Sequence, residues 1–130
     1  MGLINFYAQY LVNKLKFKIM DFKNIQPDSA KALILSETVS YTDKSVVSKQ
    51  LIKMPTGNIT LFAFDAGEGL SEHSAPFDAF VQILDGKAEI HIGGNLHLVS
   101  KGEFIIMPAN IPHFLKANER FKMMLVMIRS

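Results

Sequence analysis

From about residue 44 onward the chain is a series of short apolar runs, each closed by a turn signal, and this rhythm restricts it to an antiparallel all-β fold. Val46 to Met54 is the first run, Pro55-Thr56-Gly57-Asn58 turns the chain, and Ile59 to Asp65 returns. In that return Leu61 and Ala63 alternate with Phe62 and Phe64, the period of two that sends successive side chains to opposite faces. Phe80 to Leu84 and Lys87 to Ile92 flank Asp85-Gly86, a pair that tolerates positive φ and predicts a hairpin. After Gly93-Gly94-Asn95 come Leu96 to Val99, Glu103 to Met107, His113 to Ala117 and Phe121 to Ile128. About eight strands at this spacing predict a β-sandwich or small barrel.

The N-terminal part has a different character. Leu3, Ile4, Tyr7, Ala8, Leu11, Val12 and Leu15 recur at helical spacing and predict an amphipathic helix over about 3–16. It is an arm packed on the barrel or on a partner subunit, or a membrane-surface helix, or else the start is disordered or misassigned and Met20 itself begins a complete domain; residues 1–20 are set apart as an extension from a domain at 21–130. Residues 28–37 predict a second short helix, with Asp28 or Ser29 as its N-cap.

Charge narrows the partners. The formal net charge is +2, but residues 1–20 hold Lys14, Lys16 and Lys18 without an acid. Residues 21–130 carry eleven basic against twelve acidic residues, so the body has no basic field for nucleic acid. No apolar run reaches the roughly 18 residues of a spanning helix, and no secretory cleavage pattern is present. A cytoplasmic protein is expected, with membrane contact the lesser alternative and confined to the N-terminal segment. With no cysteine, any metal site must use nitrogen and oxygen ligands.

Two segments carry chemistry. The first runs from Gly67 through His73, Ala75 and Ala79 to Gly86; the second runs from Gly102 through Pro108 and Asn110 to His113. Together they resemble the paired motifs of the cupin family: glycine, five residues, His-x-His, a glutamate and a glycine; then glycine, five residues, Pro-x-Gly, two residues and His. Gly67, His73, Gly86, Gly102, Pro108 and His113 fall on family positions. Ala75 and Ala79 stand where the family has its second histidine and its glutamate, and Asn110 replaces a glycine, a mild change because asparagine tolerates left-handed turns. Asn118 lies one place beyond the family's usual asparagine. The resemblance implies a double-stranded β-helix, the cupin jelly-roll barrel, with a short helical N-terminal segment.

It also implies a site. In cupins with the full motif three histidines and a glutamate hold Fe, Mn, Ni, Zn or a similar divalent ion inside the barrel. Here His73 and His113 are the metal candidates, and any further ligands must come from elsewhere. Strand parity turns Glu72 and Asp78 away from the interior unless a bulge near Pro76 intervenes, and His91 and His97 flank a different turn as exposed or half-exposed strand residues. Without a metal, the same two imidazoles hydrogen-bond a ligand or act as acid and base.

The two alanines predict an apolar cavity for a small organic molecule, lined by His73, Ala75, Ala79, Val81, Ile83, His113 and Leu115, unless neighbouring phenylalanines and methionines fill it. The final run, Phe121 to Ile128, is apolar on both faces apart from Lys122, so one face is expected to meet a second subunit in a homodimer. Three functions remain open at this point: a small-molecule-binding cupin, a metal-dependent dioxygenase, isomerase or lyase, and an interaction protein with a filled barrel.

Overall fold

The structure, a computed structural model, describes residues 29–129. Contacts divide the chain into 1–32 and 33–130. Of the first unit only residues 29–32 are described, and they form a turn and a bend. The predicted helix over 3–16 and the boundary at residue 20 lie outside the described residues. The second unit carries eight strands: β1 (Val46–Met54), β2 (Gly57–Phe64), β3 (Gly69–His73), β4 (Ala79–Ile92), β5 (Asn95–Ser100), β6 (Phe104–Met107), β7 (His113–Lys116) and β8 (Phe121–Ile128). All pairings are antiparallel, in the order β1-β2-β8-β4-β7-β3, with β5 and β6 added to β4. This is the all-β, curled-sheet architecture that the strand series predicts.

The count of eight is right for a reason other than the expected one. Asp85-Gly86 does not turn a hairpin; it lies inside β4, which continues through it for 14 residues. Ahead of the bend β4 pairs with β6 and β8, and beyond it with β5 and β7. A register shift between Ile83 and Asp85 and a φ of +71° at Gly86 bend the strand from one sheet into the other. The turn between β5 and β6 fixes this bulge: Gly102 N–H donates to the Ile83 carbonyl (2.8 Å) and Lys101 N–H to the Gly86 carbonyl (3.0 Å). The strand that sequence periodicity misses is β3, because Gly69–His73 is polar and mostly exposed and pairs only with β7.

The second predicted helix is also corrected. Residues 28–37 contain, among the described positions, one 3-10 turn at Leu35–Glu37. A ten-residue helix is marginal in water without packing. The extended path gains more, since it lets Val39, Leu35 and Tyr41 pack on Leu61 and Ala63 of β2 and Met124 of β8. That segment is held by Tyr41 Oη donating to Asp85 (2.6 Å) and Lys122 Nζ donating to the Ser36 carbonyl (2.7 Å). Beside it Arg120 bridges Asp65 (2.7 Å) and Asp43 (3.1 Å). Half of the outer face of β2 and β8 is thus covered by the chain itself.

The barrel interior follows parity. Val81 and Ile83 of β4, Phe64 of β2, Phe121 and Met123 of β8, and Ile90 beyond the bend are fully or almost fully buried in one cluster. Phe64 and Phe121 stack at 4.4 Å between ring centroids. Among the described residues no helix is long and apolar enough to cross a membrane.

Candidate functional site

β3 and β7 lie side by side, and their register decides which side chain of β3 meets His113. Leu70 pairs with Leu115, but His73 pairs with His113, so β3 spends three residues where β7 spends two. The extra residue is a bulge, and it reverses parity. A regular strand would set Glu72 opposite His113; the bulge puts His73 there and leaves Glu72 exposed on the outside. The sequence has no marker for this bulge, which is why the two imidazoles could be paired only through motif resemblance.

The connections on either side are tied to each other. Asn110, with φ +64° as its left-handed role requires, donates its N–H to the Ala75 carbonyl at 2.7 Å. Asp78 accepts the Ala109 N–H at 2.9 Å. The loop after His73 and the loop before His113 therefore form one hydrogen-bonded unit, and Asp78 serves as its acceptor, not as an inward ligand.

His113 is 4% exposed, whereas His73 sits at the exposed rim. Their Nε2 atoms are 3.2 Å apart and the rings meet edge to face, 4.4 Å between centroids at 69°. His73 Nδ1 lies 2.8 Å from the Ser71 carbonyl and His113 Nδ1 lies 3.2 Å from the Ile111 carbonyl. A carbonyl can only accept, so each Nδ1 carries the hydrogen and each neutral ring points a bare Nε2 lone pair at the other. Two facing lone pairs repel; one proton or another positive centre between them removes the conflict. A proton on both rings would place like charges side by side. Burial first, and then the charge of His73, push His113 below its ordinary pKa, against the opposing pull of the Ile111 carbonyl.

Val81, Ile83 and Leu115 share the inward parity of Ala79 and His113. Ala79, Val81 and Leu115 are buried in the core cluster, and Ala75 is half-exposed beside the histidine rim. Sequence reasoning missed two methionines. Met107 of β6 and Met127 of β8 are the direct cross-strand partners of Ala79, so flexible thioether side chains border the place of the family's glutamate. Their inward parity with Ile105 and Leu125 was the available signal. His91 stacks on Phe114 (4.0 Å) near Glu89, and His97 is exposed on β5. A separate open hollow of about 390 Å³ lies between β5 and β6, lined in part by His97, Leu98 and Phe104, away from the histidine pair.

The comparisons bear on this arrangement directly. The family model described as Cupin domain matches residues 60–129. A conserved protein of unknown function from Streptococcus pyogenes is similar at 40% identity, with 82% of this chain and 92% of that one covered and a TM-score of 0.76. The chain belongs to the cupin family. A Cupin 2 conserved barrel domain protein from Leptotrichia buccalis is also 40% identical, over 72% of this cupin and 46% of that chain, with a TM-score of 0.70. A cupin superfamily protein from Desulfitobacterium hafniense is 25% identical over 78% and 94%, with a TM-score of 0.74. Among curated proteins none matches.

Membership raises the question of the family's metal. The 3.2 Å between the Nε2 atoms suits two ligands on one ion at about 2.0–2.1 Å each. The rest of the set is missing: Ala75 and Ala79 offer no donor, Glu72 faces out, and Asp78 is engaged with Ala109. Among the described residues no three His, Cys, Asp or Glu side chains come together as a metal cluster. The residues of this cupin do not fit the four-ligand centre.

Proposed function

We propose that this cupin is a cytoplasmic binding protein that holds a small organic molecule at the His73–His113 end of its barrel. The supporting observation is the histidine pair itself. Backbone carbonyls fix both Nδ1 atoms, so the facing Nε2 atoms form a polar anchor that takes one proton and presents it beside alanine, leucine and methionine side chains. A few convergent polar groups against an apolar lining is the usual composition of a small-molecule site. The ligand chemistry that suits it is an oxygen function, such as a carboxylate or carbonyl, directed at the imidazoles.

The test is a titration of a panel of small organic acids and their neutral analogues, read by long-range proton–nitrogen NMR of the imidazole rings. The free protein should show both rings as Nδ1–H tautomers, and at least one panel member should perturb both Nε2 signals in a saturable way that His113→Phe abolishes. A panel that leaves both signals unmoved would count against binding. Purified protein carrying a stoichiometric transition metal would overturn the reading in favour of a metal-dependent cupin enzyme.

A further inference from the structure

The connection from β3 to β4 carries a second polar feature at the histidine end of the barrel. Phe77 lies in this connection, half-buried, and the Arg129 guanidinium sits over its ring, 5.4 Å from the centroid. Strand register explains why they meet. Ala79 pairs directly with Met127 in an antiparallel ladder, so Phe77 and Arg129 are the next couple of the same parity, just beyond the last rung. Inside that rung the row continues through Ala79 to Met107. His73 is the last residue of β3, His113 the first of β7 and Ala79 the first of β4, so the imidazole pair and this row finish at the same end of the barrel.

The arginine is placed but not used. Its backbone N–H donates to the Thr56 carbonyl at 2.7 Å, which carries the pairing of β2 and β8 on past Gly57 and Ile128. Attraction between the guanidinium charge and the Phe77 ring steadies the side chain, and it consumes none of the five N–H donors. Among the described residues no acid pairs with Arg129, in contrast to Arg120, which bridges Asp43 and Asp65. The acids on the β3–β4 side are not aimed at it: Glu72 is exposed on the outside, and Asp78 accepts the Ala109 N–H.

Given binding of a small molecule at the histidine end, as proposed above, we infer that Arg129 is the residue that selects its charge. The ligand is a short organic acid, with a carboxylate on the Arg129 fork and a second oxygen function on the imidazoles. A planar fork of N–H donors matches the two oxygens of a carboxylate. Facing sheets lie about 10 Å apart, a gap that two long side chains and a ligand of a few carbon atoms fill together. A phosphate group suits the place less well. Its second charge asks for backbone N–H groups at a helix N-terminus, and the described residues contain no helix beyond the 3-10 turn at Leu35–Glu37.

The test is calorimetric titration of the full chain with malonate, succinate and glutarate, and with the diamide of each. The wild type should bind at least one dicarboxylate, about tenfold or more tighter than its diamide. Arg129→Gln should bring the two to within about twofold, with the thermal midpoint little changed, and Arg129→Lys should fall between, because an ammonium keeps the charge without the fork. Lys101→Gln removes the same charge from the exposed turn at the opposite end and should leave the preference intact. Failure of the wild type to bind any dicarboxylate or diamide would sink the small-molecule reading and the role of Arg129 together. Binding that His113→Phe abolishes but that does not favour the acid, or whose preference survives Arg129→Gln, overturns the role of Arg129 alone. So does a preference that Lys101→Gln removes equally well.

Discussion

The bend in β4 makes a quantitative prediction through a matched pair of glycines. Gly86 and Gly94 both have positive φ, +71° and +82°. A Cβ at Gly86 would collide with the Arg120 carbonyl oxygen on β8's approach, whereas at Gly94 it would meet nothing within 4 Å. Alanine in a left-handed conformation costs about 1–2 kcal/mol at either position. The smaller entropy of the unfolded alanine chain returns up to about 1 kcal/mol at both, so it cancels in the comparison. Only Gly86→Ala must also move backbone against backbone, at about 1–3 kcal/mol by analogy with overpacked cores. Gly86→Ala should therefore be less stable than Gly94→Ala by about 1–3 kcal/mol in urea unfolding. For a domain of this size that is a midpoint difference of roughly 4–20 °C. Unchanged m-values would confirm that both variants unfold from the same native state. Equal destabilisation would refute the claim that close approach of β4 to the chain entering β8 shapes the bend.

Three other outcomes are expected. Because burial lowers the folded pKa of His113 below its unfolded value near 6.5, the unfolded chain binds more protons below that pH. The contribution is complete above about pH 6.5 and is eroded as pH falls through it, and His113→Phe should flatten this part of a stability–pH profile. Asp65 is held down to about 2 by the Arg120 guanidinium and then by the Lys44 N–H, so its contribution is full above about pH 3.9 and lost as pH falls towards 2; Arg120→Gln should weaken the acid loss seen by circular dichroism. Ala75→His combined with Ala79→Glu should restore a four-donor set and bind nickel or zinc measurably in calorimetry, while the wild type should retain less than about a tenth of an equivalent after dialysis.

The sequence was legible wherever a residue's role is local. Alternation placed Val81, Ile83 and Leu115 inside, Gly93-Gly94 marked a true two-residue turn, and Asn110 took the left-handed conformation its motif position demands. Illegible features depended on distant partners. Asp85-Gly86 has the chemistry of a hairpin, but pairing with four other strands keeps β4 running through it. Residues 28–37 have helical composition, and the apolar face of β2 draws part of them into an extended path. The β3 bulge has no composition of its own, yet it alone decides that an imidazole and not a carboxylate faces His113. The last strand's two apolar faces were readable; that residues 35–41 of the same chain take half of one of them was not.

Because β4 is hydrogen-bonded to β5, β6, β7 and β8 at once, its length is frozen while its identities are free. Ala79 looks inward and Phe80 outward, so inserting or deleting a single residue would exchange the two populations along the whole segment. Descendants of this chain can acquire new chemistry by substitution along that spine, but additions have to be accommodated in the connecting loops.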